Sequence, residues 1–199
     1  VRALAATGLA EATTYLRPAL LEDRDRSVRL EATSALRLLP GEGAVDLLGE
    51  GLGDRDLKVR KAVVEALSRR SEKSANQSLL KALKDRKSEI RIMAVLALGS
   101  RLDAGETPTL VRQLEDRNAA VREATIYALG AAGGEAAVSA LADVVAGDYD
   151  KRTRALASDL LGGMGTRAAI PGLVSSLDGA DKKILRPSLE AAIRKIIER

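Results

Sequence analysis

The stretch Leu52-Gly53-Asp54-Arg55-Asp56-Leu57-Lys58-Val59-Arg60, with Ala66-Leu67 behind it, decides the reading of this chain. It returns as Leu114-Glu115-Asp116-Arg117-Asn118-Ala119-Ala120-Val121-Arg122 with Ala128-Leu129 behind it. Working outward, the aliphatic-Arg pair recurs as Val1-Arg2, Val28-Arg29, Val59-Arg60, Ile90-Arg91 and Val121-Arg122, then in altered form as Thr153-Arg154 and Ile184-Leu185. The intervals are 27, 31, 31, 31, 32 and 31 residues. A constant period of this size marks a repeat protein before any single element is assigned. Ala-Leu stands seven and eight residues after each central pair, at Ala35-Leu36, Ala66-Leu67, Ala97-Leu98 and Ala128-Leu129, with Leu160-Leu161 in the next copy. That spacing lies on one helical face.

Chain breakers follow each copy, at Pro40-Gly41, Ser71, Asp103 to Gly105, Gly133-Gly134 and Gly162 to Gly165. Beyond them a second apolar series begins: Leu48 and Leu52, Leu79 and Leu83, Leu110 and Leu114, Leu141 and Val145, Leu173 and Leu177. The members of each pair are four apart and share one stripe of a second helix. A unit of two short helices cannot bury both stripes alone and becomes stable when neighbours stack on it. The predicted fold is therefore all-α: an α-α superhelix, a solenoid of about six helical pairs plus a final helix, forming a single domain over residues 1–199.

Composition agrees. Of 199 residues, 46% are hydrophobic and 30% charged, but the only aromatics are Tyr15, Tyr127 and Tyr149, with no Phe or Trp. Ala, Leu, Glu, Lys and Arg favour helix, and the material of a β-sandwich is missing. Small Ala at helix contacts lets axes approach to about 8–10 Å, so close packing needs no large ring. The absence of Cys and His removes disulfides, thiolate nucleophiles, Cys-ligated zinc, and the commonest general base and metal ligand. No apolar run of about 18 residues and no signal-peptide pattern is visible, so a cytoplasmic location with no membrane contact is the default expectation. The net charge of +4 is modest. It is uneven, with 18 basic and 14 acidic residues in 1–100 against 14 and 14 in 101–199.

Local signals fit the register. Three residues before each aliphatic-Arg position stand Asp25, Asp56, Lys87, Asn118, Asp150 and Asp181, all but Lys87 good N-caps, and Ser88 is expected to cap one residue later in that copy. Pro18, Pro108 and Pro171 fall near expected starts of second helices, where a missing N–H costs little. Pro187 falls inside the final helix, which is expected to kink or begin late. Val1 has neither an N-cap nor a Met before it, so the chain is expected to enter mid-helix and to belong to a longer protein. Ala191 to Arg199 is charged enough to close the array at the other end.

The pattern Leu-x-Asp-x-Asp-x-x-Val-Arg followed by Ala-Leu-Gly resembles HEAT repeats of the short bacterial, lyase-like kind, and the resemblance covers essentially the whole chain. It implies a ladder of Asp23, Asp54, Asp85, Asp116 and Asp148 with Arg29, Arg60, Arg91, Arg122 and Arg154. Such Asp residues accept from loop N–H groups while the Arg forks bridge neighbouring units. Asp178 sits one residue out of place and Leu185 replaces the Arg, so the ladder is expected to weaken at the last unit.

One feature exceeds the needs of the fold. Directly after the ladder Asp stand Arg24, Arg55, Arg86 and Arg117, then Tyr149 and Ala180. At one repeat per roughly 10 Å these form a basic line about 30 Å long in the turns. It suits an acidic peptide or phosphates; the plain alternative is solvated turn residues pairing with local Asp and Glu. A second candidate lies within Arg69 to Lys87, where Lys81 and Lys84 are placed one turn apart on a second helix and Arg112 shares the repeat position of Lys81. In HEAT arrays the exposed side of that helix usually lines the concave surface; the alternative is a solubilising face. Gly162-Gly163-Met164-Gly165 lacks the Lys-Ser/Thr of a phosphate loop and reads as a helix-ending turn. Asp143, Asp148 and Asp150 lack the Gly and terminal Glu of an EF-hand. Tyr127 is expected to pack on a neighbouring helix with its hydroxyl at the rim.

The leading functional expectation is a non-catalytic scaffold, monomeric and without cofactor or metal, presenting a curved helical surface to a protein or acidic peptide. One alternative is nucleic-acid backbone binding through a basic surface, without the stacking platforms that Trp and Phe provide. Another is a non-catalytic subunit of a lyase-type enzyme. HEAT-like hydroxylases, a further possibility that the resemblance raises, require His-Glu metal motifs that a chain without His cannot make.

Overall fold

In the computed structural model, described for residues 9–99, 101, 106–147, 149–177 and 185–198, the described residues form successive helices in the expected order and contain no strand. The expected entry helix at Val1 to Ala6 lies outside them, as do Asp103 to Gly105, Asp178, Ala180, Asp181 and Ile184. The chain divides into two compact units, Val1–Leu98 and Gly99–Arg199.

The first unit contains α1 (Leu9–Leu21), α2 (Arg26–Leu38), α3 (Glu42–Gly51), α4 (Leu57–Ser68), α5 (Lys73–Ala82) and α6 (Ser88–Leu98). The first helices of successive repeats, α2, α4 and α6, pack side by side, and so do the second helices α1, α3 and α5; each layer covers the apolar stripe of the other. Asp25 caps α2 by accepting from the Ser27 N–H at 2.8 Å, and Asp56 caps α4 through the Lys58 N–H at 2.7 Å. Leu36, Leu67 and Leu98 from the first helices and Leu48 and Leu79 from the second are fully buried. Each such side chain contributes roughly 1.5–3 kcal/mol by leaving water. Val59 and Ile90 are buried too, whereas Val28 in the same repeat position is 39% exposed.

The second unit contains α7 (Thr107–Val111), a 3-10 turn (Arg112–Glu115), α8 (Ala119–Ala132), α9 (Gly134–Ala146), α10 (Lys151–Met164), a second 3-10 turn (Arg167–Ala169), α11 (Ile170–Ser175) and α12 (Leu185–Ile197). Here α8 packs on α10 and α10 on α12, with α9 against α8, α10 and α11. Asn118 and Asp150 cap α8 and α10. Pro108 and Pro171 stand in the first turns of α7 and α11, where no N–H is missed, and Pro187 lies in α12, which is described from Leu185.

Four expectations are corrected. Pro18 lies inside α1, near its end, and its carbonyl accepts from the N–H groups of Glu22 and Asp23 as the chain turns away. Ser88 is the first residue of α6 rather than its cap. Gly162 and Gly163 do not end a helix: α10 continues to Met164 and stops at Gly165, whose φ of 70° suits the left-handed cap that glycine adopts without strain. Gly162 is glycine for another reason. A Cβ there would lie 2.7 Å from the Ala192 Cα on α12, so the two helices meet backbone to backbone. Finally, Tyr127 stays 47% exposed on α8, while its neighbour Ile126 is buried.

Candidate functional site

The turns joining second helices to the next first helices carry the ladder aspartates and the basic line, and the ladder arginines stand near the start of the first helix that follows. In the first unit, Arg29 Nε donates to Asp54 Oδ2 at 2.6 Å and Arg29 Nη2 to Asp54 Oδ1 at 3.2 Å. One repeat on, Arg60 makes the same fork with Asp85 at 2.8 and 3.2 Å. The third nitrogen of each fork turns inward to its own turn, with Arg29 Nη1 donating to the Asp23 carbonyl at 3.0 Å and Arg60 Nη1 to the Asp54 carbonyl at 2.8 Å. Both guanidinium groups are buried, which a charge tolerates only when paired and hydrogen-bonded. The hydrogen bond with Asp54 raises the Arg29 pKa against the lowering effect of burial.

The ladder carboxylates also hold the backbone of their own turns. Oδ1 of Asp23, Asp54, Asp85 and Asp116 accepts the N–H two residues on, at 2.7, 2.7, 2.8 and 2.8 Å. Asp54 and Asp85 thus each accept three hydrogen bonds. Arg91 and Arg122 donate to the carbonyls of Asp85 and Asp116 at 2.8 and 2.9 Å. Arg154 differs: its Nε donates to the Val145 carbonyl at 2.7 Å, and the ladder residue Asp148 lies outside the described residues. Asp150 carries charge nearby instead. The hydrogen bond from the Thr153 hydroxyl, with the Thr153 and Arg152 N–H groups and Arg122, holds its carboxyl below the ordinary aspartate range against desolvation.

Arg24, Arg55 and Arg86 lie exposed on the same turns of the first unit. Arg55 Nη2 donates to the Arg24 carbonyl at 3.1 Å, and Arg86 Nη2 to the Arg55 carbonyl at 3.1 Å. The alternative of pairing with local acids does not describe these contacts, because each of these two forks rests on a neutral carbonyl of the preceding turn. Arg55 and Arg86 thus lie at the surface outside the ion pairs of the ladder, with Lys58, Lys84 and Lys87 also exposed in these turns. A cleft of about 390 Å³ opens beside the first two turns, lined among others by Leu20, Glu22, Arg24, Glu50, Gly53 and Arg55. In the second unit, Arg117 is exposed on the equivalent turn.

The other candidates divide. Lys81 is exposed on α5, but Lys84 is not on that helix: α5 ends at Ala82, and the Lys84 N–H closes a turn onto the Lys81 carbonyl at 3.1 Å. Lys84 thus joins the turn row. Arg112 is exposed in the 3-10 turn after α7. Three inter-repeat contacts went unread in the sequence. Arg70 donates to the Leu39 and Gly41 carbonyls at 2.7 and 3.2 Å and so ties two turns together. Arg101, one 31-residue period further on, was the available signal. The others are a two-pronged pair of Arg17 on α1 with Glu50 on α3 and a hydrogen bond from the Ser74 hydroxyl to Glu42. Among the described residues no group of His, Cys, Asp and Glu has the arrangement of a metal site, and no helix is long and apolar enough to cross a membrane.

The family model for HEAT repeats matches residues 45–111, 76–162 and 107–194, and the chain belongs to that family. Its fold is of the all-α HEAT-repeat class. No curated protein sequence matches the chain. Among solved structures, the Escherichia coli protein YIBA is similar with a TM-score of 0.58 at 18% identity, over 98% of this chain and 71% of that one. An engineered protein is similar with a TM-score of 0.56 at 20% identity, over 94% and 97%. Human deoxyhypusine hydroxylase is similar with a TM-score of 0.53 at 16% identity, over 98% and 99%. At such identities the likeness is one of fold, and function has to be argued from the site.

Proposed function

We propose that this chain is a non-catalytic protein-interaction scaffold whose turn row, rather than a helix face or a pocket, receives an acidic segment of a partner protein. One observation carries the reading: Asp54 and Asp85 are engaged by buried Arg29 and Arg60, while Arg55 and Arg86 rest on carbonyls at the surface. The fold sets ion pairs deep and free cations outside. Guanidinium groups with donors to spare suit carboxylates, because the fork matches two oxygens. HEAT repeats commonly serve as interaction surfaces. Arg24, Arg55 and Arg86 form this surface in the first unit, with Lys84 beside them and Lys81 on the adjoining helix; Arg117 and Arg112 occupy the matching positions in the second.

The test is selection of displayed random peptides on the wild-type chain and on a variant carrying Arg24→Glu, Arg55→Glu and Arg86→Glu. Acidic peptides are expected from the wild type and not from the variant. The variant gives up hydrogen bonds worth about 1 kcal/mol each, so it remains folded. Peptides without charge bias, or the same set from both proteins, would overturn the proposal.

A further inference from the structure

We infer that the partner segment is an extended, polyproline-II-like peptide with an acidic side chain at every third residue, an inference that rests on the scaffold reading above. Free surface arginines sweep wide volumes, and their heads ordinarily define no spacing. Here they do. Arg55 places its Nη2 3.1 Å from the Arg24 carbonyl, and Arg86 places its own 3.1 Å from the Arg55 carbonyl. Because the two contacts are the same bond made one repeat apart, the two cationic heads are separated by one repeat translation, about 8–10 Å for packed helices.

Each head spends one of five N–H donors on this contact, which leaves donors to spare. The anchoring oxygen is itself tied down: Arg29 Nη1 also donates to the Arg24 carbonyl at 3.2 Å, and Arg60 Nη1 to the Arg55 carbonyl at 3.5 Å. The buried ladder thus positions the exposed row. Arg24 adds an exposed cation on the turn before, and Lys84 and Lys87 add charge beside Arg86.

A ligand of matching period must present acids on one side every 8–10 Å or so. Polyproline II does this with three residues per turn and a rise of about 3.1 Å, so residues i, i+3 and i+6 align about 9 Å apart on one face. A β-strand repeats its faces at about 6.8 Å and falls out of step. An α-helix with acids seven apart approaches the spacing, at about 10.5 Å, and is the competing ligand in the test.

The experiment uses the full chain and fluorescence anisotropy with labelled peptides about 12 residues long, four turns of polyproline II. Peptides of one composition, rich in Pro and Ala, carry Glu either at every third position or in one block; a third, helix-forming peptide carries Glu seven apart. Labelled oligothymidylate is the nucleic-acid probe. The expected result is binding of the every-third peptide at least about tenfold tighter than the block peptide, since simultaneous contacts multiply. That advantage is expected to vanish in an Arg55→Gln, Arg86→Gln variant whose circular dichroism matches wild type. Equal binding of the every-third and block peptides, or preference for the helical one, overturns the inference and leaves the scaffold reading standing. Binding of oligothymidylate above every peptide, or no binding of any acidic peptide, overturns both.

Discussion

Alanine at Gly162 and alanine at Gly163 are expected to change stability in opposite directions, although the positions adjoin in one helix. Helix propensity alone favours Ala over Gly by about 1 kcal/mol at either site, less near a helix end. At Gly163 nothing lies within 4 Å of an added Cβ, so the propensity gain stands nearly alone, about 0.5–1 kcal/mol. At Gly162 the Cβ would sit 2.7 Å from the Ala192 Cα and 2.9 Å from its Cβ. Carbon atoms prefer about 3.5–4.0 Å. No rotamer relieves this, because backbone meets backbone, and α10 must move away from α12 by several tenths of an ångström. Overpacking of this kind costs about 1–3 kcal/mol, leaving a net loss near 1 kcal/mol after the propensity gain. The two variants should therefore differ by about 2 kcal/mol, or several degrees in Tm for a unit of this size. Urea denaturation followed by far-ultraviolet circular dichroism measures both. If Gly162→Ala is as stable as Gly163→Ala, the close approach of α10 and α12 is wrong.

Three further outcomes follow from buried groups. Asp85→Ala strands the Arg60 guanidinium, which is 2% exposed, and is expected to cost about 3–5 kcal/mol in urea denaturation; a loss below about 1 kcal/mol would show that the fork is not needed. Leu67→Asp places a carboxylate in a fully buried position of α4 and should abolish the cooperative urea transition of the first unit; a shift of under about 1 kcal/mol would contradict the assigned core. The Asp150 carboxyl has a folded pKa below its unfolded value, so its stabilisation is present above about pH 4 and disappears as pH falls through the folded value. Asp150→Asn should lower stability at pH 7 and flatten its fall below about pH 4. An unchanged acid slope in urea midpoints would remove Asp150 from the account.

Helix pairing, caps and core were legible in the residues because they depend on short-range regularities. Leu36, Leu67, Leu98 and Leu129 are buried where an eight-residue offset from the aliphatic residue of each pair put them, and Asp25, Asp56, Asn118 and Asp150 cap helices by accepting the N–H two residues on. Readings failed where a residue type serves two purposes. Glycine ends helices and also admits close neighbours, and Gly162 does the second. A lysine one turn beyond another reads as helical, yet Lys84 falls past the end of α5 because the chain there must turn toward α6.

By itself, then, the sequence determined the period, the helical pairs and the kinds of residue in each turn, since hydrophobic spacing and capping are written locally. Tertiary structure alone decided where the arginine side chains end. Arg29, Arg55, Arg60 and Arg86 carry the same charge within a few residues of each other along the period, yet two are buried on carboxylates and two lie outside on carbonyls. That division depends on which face of the turn meets the neighbouring repeat, because a guanidinium enters low dielectric only where a carboxylate from the next repeat is waiting.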